Sequence, residues 1–267
     1  MKPEVRPKKA LGQHFLTDLG VAERIASTLD DYTAEPVLEI GPGMGVLTQF
    51  LLQRHGGRLT VAEIDTESVD YLRRNFPAFG EGGAGDRIVE GDFLQMDLGA
   101  LFPGDGPFCV IGNYPYNISS QIFFKVLDYK ERVVCCSGML QKEVAERLAA
   151  KPGTKARGIL SVLLQAWYDV EYLFTVDEHV FCPPPKVKSG VIRLRRNATM
   201  ELGCDERLFK TIVKTTFGQR RKTIRNSLRS LLPSGTTLPE SPLLGMRPEQ
   251  LSVEQFVELT KLASSLR

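Results

Sequence analysis

The sequence is marked first by what it does not carry. No apolar run approaches the roughly 18 residues that a bilayer span requires, so no membrane partner is expected. The N-terminal MKPEVRPKKALGQHF is basic but has no apolar core segment, so it does not read as a secretory signal. It also lacks an Arg- and Ser-rich transit texture, so a bacterial cytoplasm is the expected location. The five cysteines (Cys109, Cys135, Cys136, Cys182, Cys204) are odd in number and show no CxxC spacing. That pattern implies reduced thiols, with neither a disulfide framework nor a zinc site, and no metal is expected. There is no internal repeat, no heptad and no exposed apolar seam, so a monomer is expected. What remains is ordinary: 267 residues, 42% hydrophobic and 25% charged. This suits a folded globular protein with one large domain, or a medium domain with a small one attached.

The net charge of +2 hides an asymmetry. Residues 11–185 carry 14 basic and 24 acidic groups, a net of −10, whereas residues 186–232 carry 13 basic and 3 acidic, a net of +10. A basic block of this size is suited to a polyanion, through neutralisation of phosphates. A solvated helical face is the plainer alternative.

The first part alternates between apolar strands and helical patterns. PVLEIG (36–41), RLTVAEID (58–65), DRIVEGD (86–92), FCVIGN (108–113) and RVVCCSGML (132–140) read as strands. GVLTQFLLQR (45–54), ESVDYLRRNF (67–76), ISSQIFFKVLD (118–128) and QKEVAERLAA (141–150) read as helices, and Asp18 caps another over 21–29. That order predicts an α/β fold, a parallel sheet with helices on both faces. Past residue 197 the texture becomes helical: 206–217, 219–232 and 248–266, with a Pro/Gly/Ser loop over 233–248. The expected division is 1–197, a catalytic domain, and 198–267, a small all-helical domain.

Between the first strand and first helix lies Glu39-Ile40-Gly41-Pro42-Gly43-Met44-Gly45. The spacing is GxGxG; it is neither the GxGxxG dinucleotide fingerprint nor a GK[ST] P-loop. Gly41 and Gly43 let the backbone turn and approach a ligand. Glu63 ends the second strand, where a carboxylate can accept from both hydroxyls of a ribose. Asp92, at the end of the third strand in Gly91-Asp92-Phe93, can accept from an adenine amino group. Ribose and adenine without a pyrophosphate describe S-adenosyl-L-methionine, which would leave as S-adenosylhomocysteine.

Asn113-Tyr114-Pro115-Tyr116 ends the fourth strand. An exocyclic adenine amine is a weak nucleophile because its lone pair is delocalised into the ring. The Asn113 side-chain carbonyl and the Pro115 carbonyl can each accept one of its N–H bonds, which localises the lone pair. Proline fixes the turn, and Tyr116 can stack on the base. Catalysis of this kind is positioning and electrostatics, with no strong general base.

These motifs, with GQHFLTD (12–18), GNYPYNIS (112–119), MLQKEVAERL (139–148), FCPPPKVKSGVIRL (181–194) and FGQRRKTIRNSL (217–228), run nearly end to end. The chain resembles the KsgA/RsmA (Dim-type) family of rRNA adenine N6,N6-dimethyltransferases. The resemblance implies a class I, Rossmann-like methyltransferase domain with a helical C-terminal domain. It implies two methyl groups on N6 of each of two adjacent adenosines near the 3′ end of small-subunit rRNA, in the 30S subunit or its precursor. It implies that His14, Leu16, Gly41, Glu63, Asp92 and Asn113 hold the cofactor, and that Phe181 is a second aromatic wall of the base pocket. His14 stands where many members have Asn, so a backbone role is the part that carries over. NLPY reads NYPY here, with Tyr114 expected to face the interior. The helix 219–232 resembles the rRNA-contacting element, with Arg220, Arg221, Lys222, Arg225 and Arg229 on phosphates. Three rivals stay open: an Erm-like large-subunit rRNA methyltransferase, a non-catalytic assembly or transcription factor on the same fold, and a DNA adenine methyltransferase.

Overall fold

The structure, a computed structural model, describes residues 4–79 and 87–267. After the short strand β1 (Phe15–Leu16) the chain runs through α1 (Leu19–Ala26), β2 (Val37–Ile40), α2 (Thr48–His55), β3 (Leu59–Glu63), α3 (Thr66–Asn75), β4 (Ile88–Glu90), α4 (Leu98–Leu101), β5 (Phe108–Asn113), α5 (Ser119–Asp128) and β6 (Val133–Gln141). Side-chain caps set several helix starts. Asp18 accepts from the Val21 amide, Asp65 from Glu67 and Asp97 from Gly99. Each satisfies a donor the helix cannot. The third strand is shorter than the 86–92 expected, and Asp86 lies outside the described residues.

The chain continues through α6 (Lys142–Leu148), α7 (Ile159–Gln165), β7 (Tyr168–Val176), β8 (Phe181–Cys182) and β9 (Ser189–Arg196). Seven strands form one sheet in the order β4-β3-β2-β5-β6-β9-β7, while β1 and β8 pair separately and antiparallel. Strands β4 to β6 are mutually parallel, as expected. Strand β9, however, runs antiparallel to β6, so the sheet is mixed rather than parallel. The parallel strands β2 and β5 are buried along almost their whole length, which is why they read as apolar runs. Strand β7 is only half-buried in its middle and has no such run to betray it.

From β2 the chain moves outward through β3 and β4, then returns to lay β5 on the other side of β2. That reversal opens a crevice at the carboxyl ends of the strands, the usual ligand position in such sheets.

Two compact units emerge: Met1–Ala145 with Glu171–Arg196, and Glu146–Val170 with Asn197–Arg267. The expected boundary at 197/198 therefore needs one correction, because residues 146–170 group with the C-terminal part. That unit also holds α8 (Glu206–Gly218), α9 (Ile224–Leu228), α10 (Pro242–Gly245) and α11 (Val253–Ser265). There α7 packs against α8 and α11. Arg157 is fully buried and donates to the Ala150 carbonyl and Gln165 Oε1, and the Asn197 amide donates to the Trp167 carbonyl.

The basic helix expected over 219–232 is a second correction. Residues 219–222 form a turn, α9 covers only 224–228, and a 3-10 turn follows at Arg229–Leu231. Thr223 is extended (φ −70°, ψ 159°), and the Ile224 amide donates to the Met246 carbonyl at 2.8 Å. That bond replaces the helical one, so α8 and α9 cannot join. The last helix starts at Val253, later than expected, where Ser252 and Gln255 form a capping box.

Candidate active site

Strand register builds the site. Ile40 lies opposite Ala62 on β3 and Gly112 on β5, and Glu63 lies opposite Glu90. Gly41, Glu63, Asp92 and Asn113 therefore emerge side by side. With the N-terminal segment 11–15 they line a cavity of about 200 Å³. The glycine loop is held in the left-handed region, with φ of 55° at Gly43 and 77° at Gly45, where L side chains are strained. A Cβ at Gly43 would stand 2.8 Å from the Phe15 ring, and one at Gly45 2.3 Å from Phe76. Space as well as conformation demands glycine at both.

Glu63 is 4% exposed. Its Oε2 accepts from the Gly43 amide at 3.0 Å, and its Oε1 from Ile64 and Asp65 at 2.9 and 3.0 Å. Burial pushes its carboxyl above the ordinary value, against those three amides. The carboxylate is thus fixed in place, joined to the glycine loop, and turned to the cavity. Asp92 lines the same space, and its Oδ1 accepts from the Leu94 amide at 2.9 Å.

The Asn113 amide donates from Nδ2 to the His14 carbonyl at 3.0 Å. This bond fixes the orientation of the amide, with Nδ2 on the His14 carbonyl and Oδ1 left as an acceptor. Pro115 accepts from the Ile118 amide at 3.2 Å and keeps a second lone pair. Tyr114 is 1% exposed, and its hydroxyl donates to the Ser137 carbonyl at 2.6 Å, so the departure from NLPY does face the interior. The Tyr116 hydroxyl pairs with Ser189 Oγ at 2.6 Å, and burial raises its pKa. Its ring lies 5.4 Å from that of His14, and His14 Nδ1 lies 2.8 Å from the Pro183 carbonyl. A carbonyl only accepts, so Nδ1 carries the proton.

Phe181 and Leu16 do not line this cavity. Phe181 is 4% exposed and belongs to the core; it does not line the cavity. Its register partner on β1 is Leu16, and the pair is buried together. The ring beside Tyr116 is that of His14. Leu16 likewise misses the main cavity and faces a small adjoining one of about 30 Å³, which it shares with Glu39, Met44 and Asn113. Of the basic residues, Arg221, Lys222 and Arg229 are exposed. Arg220 lies 3.6 Å from Glu249, and Arg225 donates weakly to the Pro239 carbonyl. They sit in a turn and a short helix and do not share one helical face.

Sequence reasoning missed the latch on the N-terminal segment. Lys8 Nζ (2.5 Å) and Gln13 Nε2 (3.0 Å) both donate to Asp65, whose side chain is fully buried. Burial opposes ionisation of Asp65, yet the bonds from Lys8 and Gln13 hold its carboxyl below the ordinary value. It also missed Ile64, 48% exposed on the cavity wall. An isoleucine directly after a strand-end acid was the available signal. Among the described residues no helix is long and apolar enough to cross a membrane, and no cluster of His, Cys, Asp and Glu is arranged for a metal.

The ribosomal RNA adenine dimethylase family matches residues 5–265 of the chain. The ribosomal RNA small subunit methyltransferase A of Parabacteroides distasonis is 68% identical over 97% of this chain and 94% of its own. Its counterpart from Porphyromonas gingivalis is 64% identical over 97% and 98%. Among solved structures, a dimethyladenosine transferase from Plasmodium falciparum superposes with a TM-score of 0.77 at 24% identity, over 92% of this chain and 96% of its own. The 23S rRNA methyltransferase ErmE gives 0.68 at 29% identity, over 92% and 99%. These likenesses make the fold that of the Rossmann-like methyltransferases.

Proposed function

The chain belongs to the ribosomal RNA adenine dimethylase family, and from that premise we propose that it dimethylates N6 of two adjacent adenosines near the 3′ end of small-subunit rRNA. The substrate is the 30S subunit or its precursor in the cytoplasm, and the methyl donor is S-adenosyl-L-methionine. The observation that carries the reading is one cavity that gathers Glu63, Asp92 and the Asn113–Tyr116 turn. Its described lining holds two carboxylates and no lysine or arginine. That charge suits a cationic ligand without phosphates. S-adenosyl-L-methionine fits, and it supplies a methyl group on a positively charged sulfur.

Each residue then has a task. Glu63, already fixed by three amides, accepts from the ribose hydroxyls. Asp92 accepts from the adenine amine through the oxygen that Leu94 leaves free, with Ile64 and Leu94 against the ring faces. Gly41 and Gly43 let the backbone pass close to the ligand. His14 contributes its backbone, since its carbonyl orients Asn113. Asn113 Oδ1 and the second lone pair of the Pro115 carbonyl take the two N–H bonds of the target amine and aim its lone pair. Tyr116 stacks on the flipped base. The extra proton on the methylated nitrogen is acidic and leaves to solvent. The exposed Arg221, Lys222 and Arg229, with Arg220 and Arg225, meet rRNA phosphates; RNA shape and an unstacked loop supply the specificity. The Erm-like reading is disfavoured by 29% identity to ErmE against 68% to the small-subunit relative.

Expression in a bacterium whose small-subunit rRNA lacks N6,N6-dimethyladenosine tests the proposal. The wild-type chain restores that nucleoside and Asn113→Ala does not. Restoration by both would remove Asn113 from the chemistry, and restoration by neither would leave a non-catalytic factor.

A further inference from the structure

Lys125 lies on α5, the helix that begins just after the Asn113–Tyr116 turn. Its ammonium donates to the carbonyls of Phe93 (2.7 Å), Leu94 (3.1 Å) and Met96. An ammonium has three N–H bonds, so all three are spent on one loop. It also sits 5.1 Å from the centre of the Phe93 ring. One helical turn on, the Tyr129 hydroxyl accepts from the Leu98 amide at 3.2 Å and donates to Asp97 at 3.1 Å. The loop 93–98 is therefore docked on α5 by polar groups at both ends. Burial lowers the pKa of Lys125, and the nearby Asp92, Asp97 and Asp128 work against that.

This loop begins at Asp92, and Phe93 and Leu94 line the cavity with it. Lys125 does not line the cavity; it acts only through the loop. We propose that Lys125 is a positioning residue that sets the adenine selectivity of the cofactor site, by fixing the Phe93–Met96 carbonyls and through them the Asp92 carboxylate. The proposal rests on the reading that this cavity takes an adenosyl cofactor. Its chemistry is specific. The Asp92 carboxylate attracts the N–H of an adenine amine and repels the oxygen that hypoxanthine carries at the same place. That discrimination requires the carboxylate to be held still. A loop freed from α5 can swing Asp92 away and admit either base.

The test is calorimetric titration of the full chain with S-adenosylhomocysteine and with S-inosylhomocysteine, which has hypoxanthine in place of adenine. The wild-type protein is expected to prefer the adenosyl ligand by about tenfold or more, roughly one well-made polar contact. Lys125→Met is expected to bring that ratio within about threefold, chiefly by weakening the adenosyl ligand, while kcat at saturating cofactor changes little. Lys125→Arg, which keeps the cation, retains most of the preference. A folded Lys125→Met protein with the wild-type ratio overturns the proposal. Should that variant not fold, Lys125→Gln is read by the same ratio. A wild-type protein that binds neither ligand overturns the cofactor reading itself, and the proposal with it.

Discussion

Glu39 and Glu63, two residues on neighbouring strands, meet burial in opposite ways. Glu63 is surrounded by three amide donors. Glu39 is 1% exposed, its Oε2 has no hydrogen-bond partner, and burial pushes its carboxyl up to about 8. Between the ordinary carboxylate range and pH 8 the folded protein therefore binds more protons at Glu39 than the unfolded chain does. This contribution to stability is full below about pH 4.5 and is lost as pH rises through about 8. Glu39→Gln removes that slope. Melting of the ligand-free protein across pH 5 to 8.5 should show the variant gaining on wild type by a few kcal/mol; parallel curves would refute the assignment. In the Asn113–Tyr116 turn, Tyr116→Phe keeps the ring proposed to stack on the base and should hold kcat/KM within about threefold, whereas Tyr116→Ala should cost at least about tenfold. Equal losses would mean that the hydroxyl bond to Ser189 matters more than the ring. Glu63, Asp92 and Asn113 were legible because an acid or amide at the end of an apolar strand has few structural reasons to be there. The place of Phe181 was not legible, because only its pairing with β1 opposite Leu16 decides that the ring turns into the core.

At the scale of elements, sequence periodicity found the first strands and helices but failed where a distant partner decides. Nothing local in QRRKTIRNSL foretells that the Ile224 amide will bond the Met246 carbonyl and split the helix. Strand β7 was missed because it forms the sheet edge with a half-exposed pattern, whereas β9 lies inside the sheet and is mostly buried but alternates with Arg193, Arg195 and Arg196, so it lacks the apolar runs of β2 and β5. The corrected geometry moves Arg221 and Lys222 from a helical face to an exposed turn, yet leaves their charge available. Arg221→Glu with Lys222→Glu should weaken rRNA binding and reduce the slope of log K against log salt by about 2, near one unit for each lost phosphate contact. S-adenosylhomocysteine affinity should not change, and an unaltered salt slope would exclude this turn from the interface. The N-terminal segment is closed by Lys8 and Gln13 on Asp65. Lys8 is 41% exposed, so its contribution is modest and screened by salt. Lys8→Met should raise the S-adenosylhomocysteine dissociation rate about threefold at low salt, a difference that fades near 1 M salt. A rate that never changes would mean the segment stays closed without the latch.

At the scale of the molecule, the charge map and the site agree. The stretch 11–185, which holds the whole cavity lining, is net −10, and the stretch 186–232 is net +10. That separation is compatible with the proposed cationic cofactor in the cavity and an rRNA contact on the basic tract. The identity of the RNA does not follow from it and enters through the family. Helix α7 could not be assigned to the second unit from sequence, because ILSVLLQ is apolar on nearly every face and gives no sign of which neighbours it packs against. The most direct measurement is methyl transfer from labelled S-adenosyl-L-methionine to purified small and large ribosomal subunits that lack the modification, with nucleosides separated afterwards. The account predicts label in small subunits only, recovered as N6,N6-dimethyladenosine and abolished by Asn113→Ala. Label in large subunits, or label on any atom other than N6 of adenosine, would contradict it.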